Sequence, residues 1–388
     1  MTGETTTIHI AGTGLRGSGY PNAKATIVIL RSLPGVAVVD RSRWLPEGAT
    51  LWQAAVAGGG KLPLLLRLVF ANLSEAVRVG FAARRPGDLV YAPYPAIFLL
   101  WWLSWMPRRF RPQAIADSYV SIWDATFRDR QTSRSGGLAS VLLKWAEGRS
   151  LRAASTVLVD TIANREWYIA EFGIDPERIR ALPLALEYVR CKRGPARGGR
   201  LSVLFVGTLV PLHGIHVIAD AVSRLARSGA PVDFTFIGDG QQRKVLETLV
   251  ANGDGASVKW VRDWQSLESM AKSIAEADVC LGVFGGDGKA SRVLPYKVYL
   301  ALAAGRLVVT QQQFSLPEGV PRPPVLGIPP EGQELANALS ELAADPDRLS
   351  RFSCEAADYY QKYLSPACLA KSWQAIIKDH MSGRTGRV

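Results

Sequence analysis

The chain is 388 residues long, 48% hydrophobic and 21% charged, a composition that excludes collagen-like repeats and low-complexity disorder. A single core stops growing near roughly 250–300 residues, so two domains are expected. The net charge of +12 favours polyanionic partners: nucleic acid, an acidic membrane surface or phosphate-bearing substrates.

The four cysteines, Cys191, Cys280, Cys354 and Cys368, have neither zinc-ligand nor CxxC spacing, which predicts buried thiols in a reducing compartment. The first residues lack a basic segment followed by an apolar one, so secretion is not expected. The longest apolar run, AIFLLWWLSWM at 96–106, is about half the ~20 residues a spanning helix needs. A transmembrane protein is thereby excluded, and contact with a membrane is not.

In chain order, short apolar runs predict strands at 7–11, 36–39, 88–92, 114–117 and 156–160, and again at 201–206, 233–238, 258–261, 279–283 and 307–310. Helical periodicity lies between them, for example at 216–228 and 242–251. Strand–helix alternation with continuous apolar strands implies buried parallel sheets, and its presence in both halves implies an α/β protein of two Rossmann-like domains. Ligands of such sheets bind beyond the carboxyl ends of the strands, so two facing domains would hold a substrate cleft between them. The basic, Gly/Pro-rich segment 191–200 reads as a linker between a domain at 1–190 and a second one. Residues 1–190 carry 23 Lys and Arg against 15 Asp and Glu, and the remainder 23 against 19, so the surplus charge is concentrated in the first half.

The first candidate motif is Gly12-x-Gly14-x-x-Gly17, after a predicted strand and ahead of Asp40. It matches a dinucleotide fingerprint and leaves an NAD-dependent oxidoreductase open. Its continuation, Ser18-Gly19-Tyr20-Pro21, starts the following helix near Pro21 instead, which predicts a longer loop facing phosphate or sugar through Gly14, Arg16, Gly17, Ser18, Gly19 and Tyr20. Farther on, Asp117 ends a predicted strand and is a candidate base or sugar-hydroxyl ligand, with Asp124, Asp129 and Arg130 as alternatives.

Between Tyr91 and Arg111, Trp101, Trp102 and Trp105 stand beside Arg108, Arg109 and Arg111. Aromatics of this kind favour a membrane interface and the cations anionic lipid, while a buried helix explains the same run equally well. A second apolar patch lies at 62–69.

Three segments of the second half follow predicted strands and should line a site. They hold Gly207, Thr208, His213 and Gly214; then Gly238 and Gly240; then Phe284 and Gly285, running to Lys289, Arg292, Val293, Leu294, Pro295 and Lys297. A Gly-rich loop, a helix start and three cations within nine residues suit a diphosphate. No DxD metal site is evident, Asp345-Pro-Asp347 reading as a helix cap. His9, inside a strand, reads as a satisfied core or rim group.

The blocks FVGTLVPLHGIHVIADA (205–221), FIGDGQ (236–241) and KASRVLPYKVYLALAAG (289–305) resemble the retaining GT-B glycosyltransferases of family 4, glycosyl transferases group 1, in a subgroup with PLHG and KA-x-RV-x-P-x-KVY motifs. DSYVSIWDATFRDR (117–130) and VLVDT (157–161) extend the likeness more weakly into the first half.

The resemblance implies a metal-independent transfer, with retention, from a nucleotide-diphosphate sugar held by the domain at 201–365. No other cofactor is implied, and the acceptor lies on the N-terminal domain. A helix at 366–388 would return to that domain. Thr208 and His213 stand where the family commonly has a basic pair, and Arg292 and Leu300 replace both acids of its EX7E pattern. Lys289, Arg292 and Lys297 then supply the diphosphate charge, with Asp117, Arg292 and Lys297 as the catalytic candidates. With the aromatic-basic run, this suggests a lipid-linked or polysaccharide-precursor acceptor and a cytoplasmic enzyme peripheral to the inner face of a bacterial cell membrane. Nucleic acid drops out as a partner, and a non-catalytic polyanion-binding protein stays open beside the oxidoreductase.

Overall fold

The computed structural model describes residues 5–15, 20–45, 61–129, 137–186, 199–251, 257–263 and 265–383, with backbone alone at 61–65, 129 and 257. The chain divides into two compact units, Met1–Glu187 with Pro366–Val388, and Tyr188–Ser365.

The first unit runs β1 (Thr6–Ile10), β2 (Thr13–Gly14), α1 (Asn22–Ser32), β3 (Val36–Asp40), β4 (Arg43–Trp44), α2 (Lys61–Ala82), β5 (Leu89–Ala92), α3 (Ile97–Leu103), β6 (Gln113–Asp117), α4 (Leu138–Leu151), β7 (Thr156–Val159), α5 (Ile162–Phe172) and β8 (Ile179–Ala181). Its main sheet has the order β3-β1-β5-β6-β7-β8, with every neighbouring pair parallel. The strands β5 (LVYA) and β7 (TVLV) are buried along their whole length, as apolar runs covered by helices on both faces must be. Pro21 stands at the N-cap of α1. Thr161 caps α5 by accepting a hydrogen bond from the Asn164 amide, and left-handed Gly173 ends that helix.

The second unit runs β9 (Leu201–Val206), α6 (Ile215–Ser228), β10 (Val232–Ile237), α7 (Arg243–Ala251), β11 (Ser257–Val261), α8 (Leu267–Glu276), β12 (Val279–Leu281), α9 (Lys289–Arg292), α10 (Tyr296–Ala303), β13 (Leu307–Gln311), β14 (Leu326–Ile328), α11 (Gly332–Ala344) and α12 (Pro346–Tyr359). Its sheet, β11-β10-β9-β12-β13-β14, is again parallel throughout. Asp345 caps α12 through the Arg348 amide.

The last helix, α13 (Pro366–Met381), packs within the first unit. Its Trp373 meets Tyr91 edge-on at 5.6 Å, and its His380 lies between Thr156 Oγ1 and Gln113 Oε1 at 3.0 and 2.9 Å.

In both sheets the chain winds outward from one strand and then reverses. The reversal falls between β1 and β5 in the first unit and between β9 and β12 in the second, and the loops diverging at such a point form a crevice suited to a ligand. The two edge strands β8 and β14 were not anticipated, because three residues carry no readable period. Nor are all the thiols buried: Cys280 is, and desolvation pushes it up to about 12, whereas Cys354 is exposed. Cys191 and residues 191–198 of the expected linker lie outside the described residues.

Candidate anion site of the second unit

Gly207 follows β9 with φ of +148°. A methyl group on it would stand 2.9 Å from Lys297 Nζ and 3.1 Å from His213 Cε1, so three of the residues singled out by sequence converge on one point. Lys297 comes from the first turn of α10, and its backbone is held by Pro295 at the N-cap. The Lys297 side chain lies over the Phe205 ring, with Nζ 3.9 Å from the centroid. That nitrogen is fully enclosed, although the residue as a whole is half-buried, and no hydrogen-bond acceptor reaches it among the described residues. Burial alone holds its pKa well below that of an ordinary lysine. The cost of enclosing an ammonium is offset only when an anion arrives.

His213 ends a 3-10 turn (Pro211–His213). Its Nδ1 bonds to the Thr208 carbonyl, and since a carbonyl only accepts, the proton sits on Nδ1. The ring lies edge-on to Phe205 at 5.6 Å. Phe205, in β9, thus supports both the ammonium and the imidazole, a role the sequence reading missed because LSVLFV reads simply as a core strand.

The glycines of the three loops have a different part from the one expected. A side chain on Gly214, at φ +63°, would strike the Phe284 backbone, one on Gly238 the Gly207 carbonyl, one on Gly240 the Leu209 backbone, and one on Gly285 the Leu212 backbone. They bring loop against loop and so build the floor of the site. Phe284, Val293 and Leu294 are 1%, 8% and 1% exposed, so their side chains belong to the core instead of to a ligand. Thr208 is exposed, and Lys289 and Arg292 are half-buried on the short helix α9, which packs against the His213 turn. Leu300 is buried.

In the first unit the expected acceptor residues are corrected more strongly. Asp117 is 1% exposed and accepts hydrogen bonds from Tyr20 Oη at 2.6 Å, Tyr91 Oη at 2.8 Å and Asn22 Nδ2 at 3.2 Å. Desolvation outweighs those donors and raises its pKa to about 6. It is covered and engaged by three donors of its own unit. Tyr20 is consumed by the same network, and Asp124 is buried at 4% exposure. Gly14 is covered too, since a methyl group there would meet the Trp44 ring. Arg16, Gly17, Ser18, Gly19 and Arg130 lie outside the described residues.

The dinucleotide reading fares no better. The amides of Ala11, Thr13 and Leu15 are committed to Tyr91 O, Asn72 Oδ1 and Tyr94 O, and Gly12, at φ +100°, accommodates Asn72 and Leu99. A pyrophosphate would need those amides. His9 is buried, and neither ring nitrogen is hydrogen-bonded among the described residues. Among the described residues no group of three His, Cys, Asp or Glu could hold a metal.

Of the aromatic-basic run, Trp105, Arg108 and Arg109 are exposed and Trp101 is half-buried. Trp102 turns inward and donates to the Val69 carbonyl at 2.6 Å. Arg111 turns back onto the Ser104 and Met106 carbonyls. Both are half-buried and tied to the backbone of their own unit.

The two parallel-sheet units have the GT-B fold. The chain matches the solved structure of HepE from Anabaena in complex with UDP-glucose with a TM-score of 0.61 and 17% identity, over 96% of this chain and 99% of that one. A glycosyltransferase from Rickettsia africae is similar at TM-score 0.62 and 11% identity, over 97% and 99%.

Residues 200–345, which carry the anion site, match the family model Glycosyl transferases group 1. In sequence, the chain is 26% identical over 179 residues to the amylovoran biosynthesis glycosyltransferase AmsK of Erwinia amylovora, covering 45% of this chain and 41% of the relative. It is 29% identical over 122 residues to a 2-deoxystreptamine glucosyltransferase of Streptomyces kanamyceticus, covering 29% and 32%. The chain thus spans less than half the length of these curated relatives.

Proposed function

We propose that the protein is a glycosyltransferase that moves a sugar from a nucleotide-diphosphate donor to a lipid-linked or polysaccharide-precursor acceptor, with retention and without a divalent metal. One observation carries the reading: the enclosed Lys297 ammonium, with no acceptor among the described residues, at the strand reversal of the unit that matches the family model. An ammonium in that state is matched to a ligand that brings negative charge, and a diphosphate brings it as the leaving group of the reaction. The acceptor oxygen bonds to the anomeric carbon on the face that the diphosphate leaves, as the bond from that carbon to the diphosphate oxygen breaks, and the acceptor proton passes to the departing diphosphate. Lys297, supported by Lys289 and Arg292, stabilises the charge that collects on the departing diphosphate, the part a metal ion plays in other transferases.

UDP is the first candidate for the nucleotide, because HepE, of similar fold, is found with UDP-glucose. The role of AmsK in amylovoran biosynthesis supports a polysaccharide precursor as acceptor. The surplus positive charge of the first half supports a site of action peripheral to the inner face of a bacterial cell membrane. A screen of UDP-, GDP- and dTDP-sugars by thermal shift, followed by assay of nucleoside diphosphate release, tests the reading. One of the donors should raise the melting temperature and be turned over. If none binds, the diphosphate site is refuted.

A further inference from the structure

The helices α2, α3 and α4 leave a large apolar surface uncovered. On α2, Leu66, Phe70, Leu73, Val77 and Phe81 are exposed, up to 65% at Phe81. Their spacing of four, three, four and four residues puts them in one narrow stripe. On α4, Leu138, Val141, Leu142 and Trp145 are exposed, at 84%, 59%, 63% and 50%, again at the spacing of one helix face. Between these helices lies α3, with Trp105 and Phe110 exposed just beyond it.

The three helices form one continuous face. Phe70 reaches Trp102 at 6.3 Å, and Trp101 reaches both Trp105 and Trp145, at 5.7 and 5.5 Å. Patches of more than a few hundred Å2 of this kind mark a binding surface.

The charges on this face have one sign. Arg84 lies over the Phe81 ring at 4.3 Å, Arg109 over Phe110 at 4.6 Å and Arg149 over Trp105 at 3.9 Å, while Arg67, Arg78 and Arg108 are exposed. The acids of the same helices are Glu75 and Glu147, 1% and 0% exposed. Glu75 is held by Arg43 and Arg78, and Glu147 accepts the Ile122 and Trp123 amides. Glu75 balances Arg78 and, from α5, Glu171 balances Lys144, while no carboxylate is paired with Arg84, Arg108, Arg109 or Arg149 among the described residues, so the face keeps a positive surplus.

We infer that the α2–α3–α4 face is a docking surface for an anionic lipid bilayer, on which the helices lie in the interfacial plane with their apolar side chains in the acyl boundary and their arginines among the head groups. Aromatic rings capped by arginine suit that boundary, where one end of the side chain is dry and the other wet. A second copy of the chain fits poorly, because pairing this face with itself sets arginine against arginine. None of the described helices is long and apolar enough to cross a bilayer, so the contact is peripheral. The inference gives the membrane in the proposed function its residues and rests on that reading only for the identity of the acceptor. The α4 stripe was not singled out in the sequence.

The test is co-sedimentation of the full chain with vesicles of phosphatidylcholine alone or with phosphatidylglycerol. The unaltered protein should bind the anionic vesicles, less well in high salt. The double variant L138E/L142E, altered at two exposed positions, should lose binding by about tenfold or more, with an unchanged melting temperature and an unchanged thermal shift by UDP. F70E/F81E should behave alike. Equal binding by the variants would overturn the inference. So would absence of vesicle binding together with a concentration-dependent dimer that L138E/L142E abolishes. Failure of the unaltered protein to bind UDP, GDP and dTDP alike would instead refute the donor site and leave the vesicle result standing.

Discussion

The Lys297 ammonium lies 3.9 Å from the centroid of the Phe205 ring, enclosed, beside the Gly207 backbone and the His213 ring. A cation over an aromatic face is stabilised by the ring quadrupole, but by less than the water it has lost, so the site is left with an unmet demand for negative charge.

Replacing Lys297 by methionine keeps the stem over Phe205 and removes the charge. UDP affinity should fall by about ten- to a hundredfold, the worth of one charge-assisted contact, while the melting temperature without nucleotide stays level or rises because a costly buried cation is gone. Calorimetric titration beside thermal unfolding measures both. Titration across pH adds a signature. With the free amine's pKa lowered and the bound one restored by phosphate, binding takes up a proton, and affinity should weaken as pH rises above the free value.

Gly214 carries the next expectation. At φ +63° and against the Phe284 backbone, Gly214→Ala meets both an unfavourable backbone conformation and a clash. Stability should drop by at least about 1–3 kcal/mol, measured by urea unfolding. UDP affinity should fall with it, although residue 214 need not touch the nucleotide.

Asp117→Ala separates a structural role from a catalytic one. It strands the donors on Tyr20, Tyr91 and Asn22 and should cost about 2–4 kcal/mol of stability, with UDP binding unchanged. A variant of ordinary stability that had lost turnover would restore Asp117 as a ligand of substrate.

His380 anchors α13 to the first sheet, and burial lowers its pKa from 6.5 to about 4. The unfolded chain takes up this proton near pH 6.5 and the folded chain only near pH 4, so the unfolded state binds more protons between those values. Stability from this residue is complete above pH 6.5 and is lost as pH falls to 4, by about 3 kcal/mol. Asp117 and Glu147, raised to about 6 and about 7 by desolvation, act in the opposite direction. The measurement is therefore the difference between the unaltered protein and His380→Gln, in which the acids cancel. That difference should shrink on acidification.

Sugar transfer should persist in excess EDTA if side-chain cations meet the leaving charge, and Arg292→Ala should then slow turnover by about tenfold or more. Complete loss of activity in EDTA, restored by magnesium, would assign the charge to a metal.

Much of the architecture was legible in the chain itself. Apolar runs such as LSVLFV could satisfy their backbone and bury both faces only in parallel sheets, and Pro21 and Asp345 marked helix starts by local chemistry alone. The cluster of Gly207, His213 and Lys297 was legible too, as small and cationic residues just after strands. Tertiary structure decided what no local pattern holds. Asp117 is spent on Tyr20 and Tyr91, 97 and 26 residues away in sequence, and the loop glycines face other loops instead of a ligand. Trp102 and Arg111 bond to carbonyls of their own unit while Trp105, Arg108 and Arg109 stay exposed. A strand end, a glycine and a tryptophan look alike in sequence whether they meet solvent or a distant part of the chain, because burial is a property of which segments come together. The sequence by itself determined the layers and the positive charge, and only the packing of distant segments decided which of those charges was left without a partner.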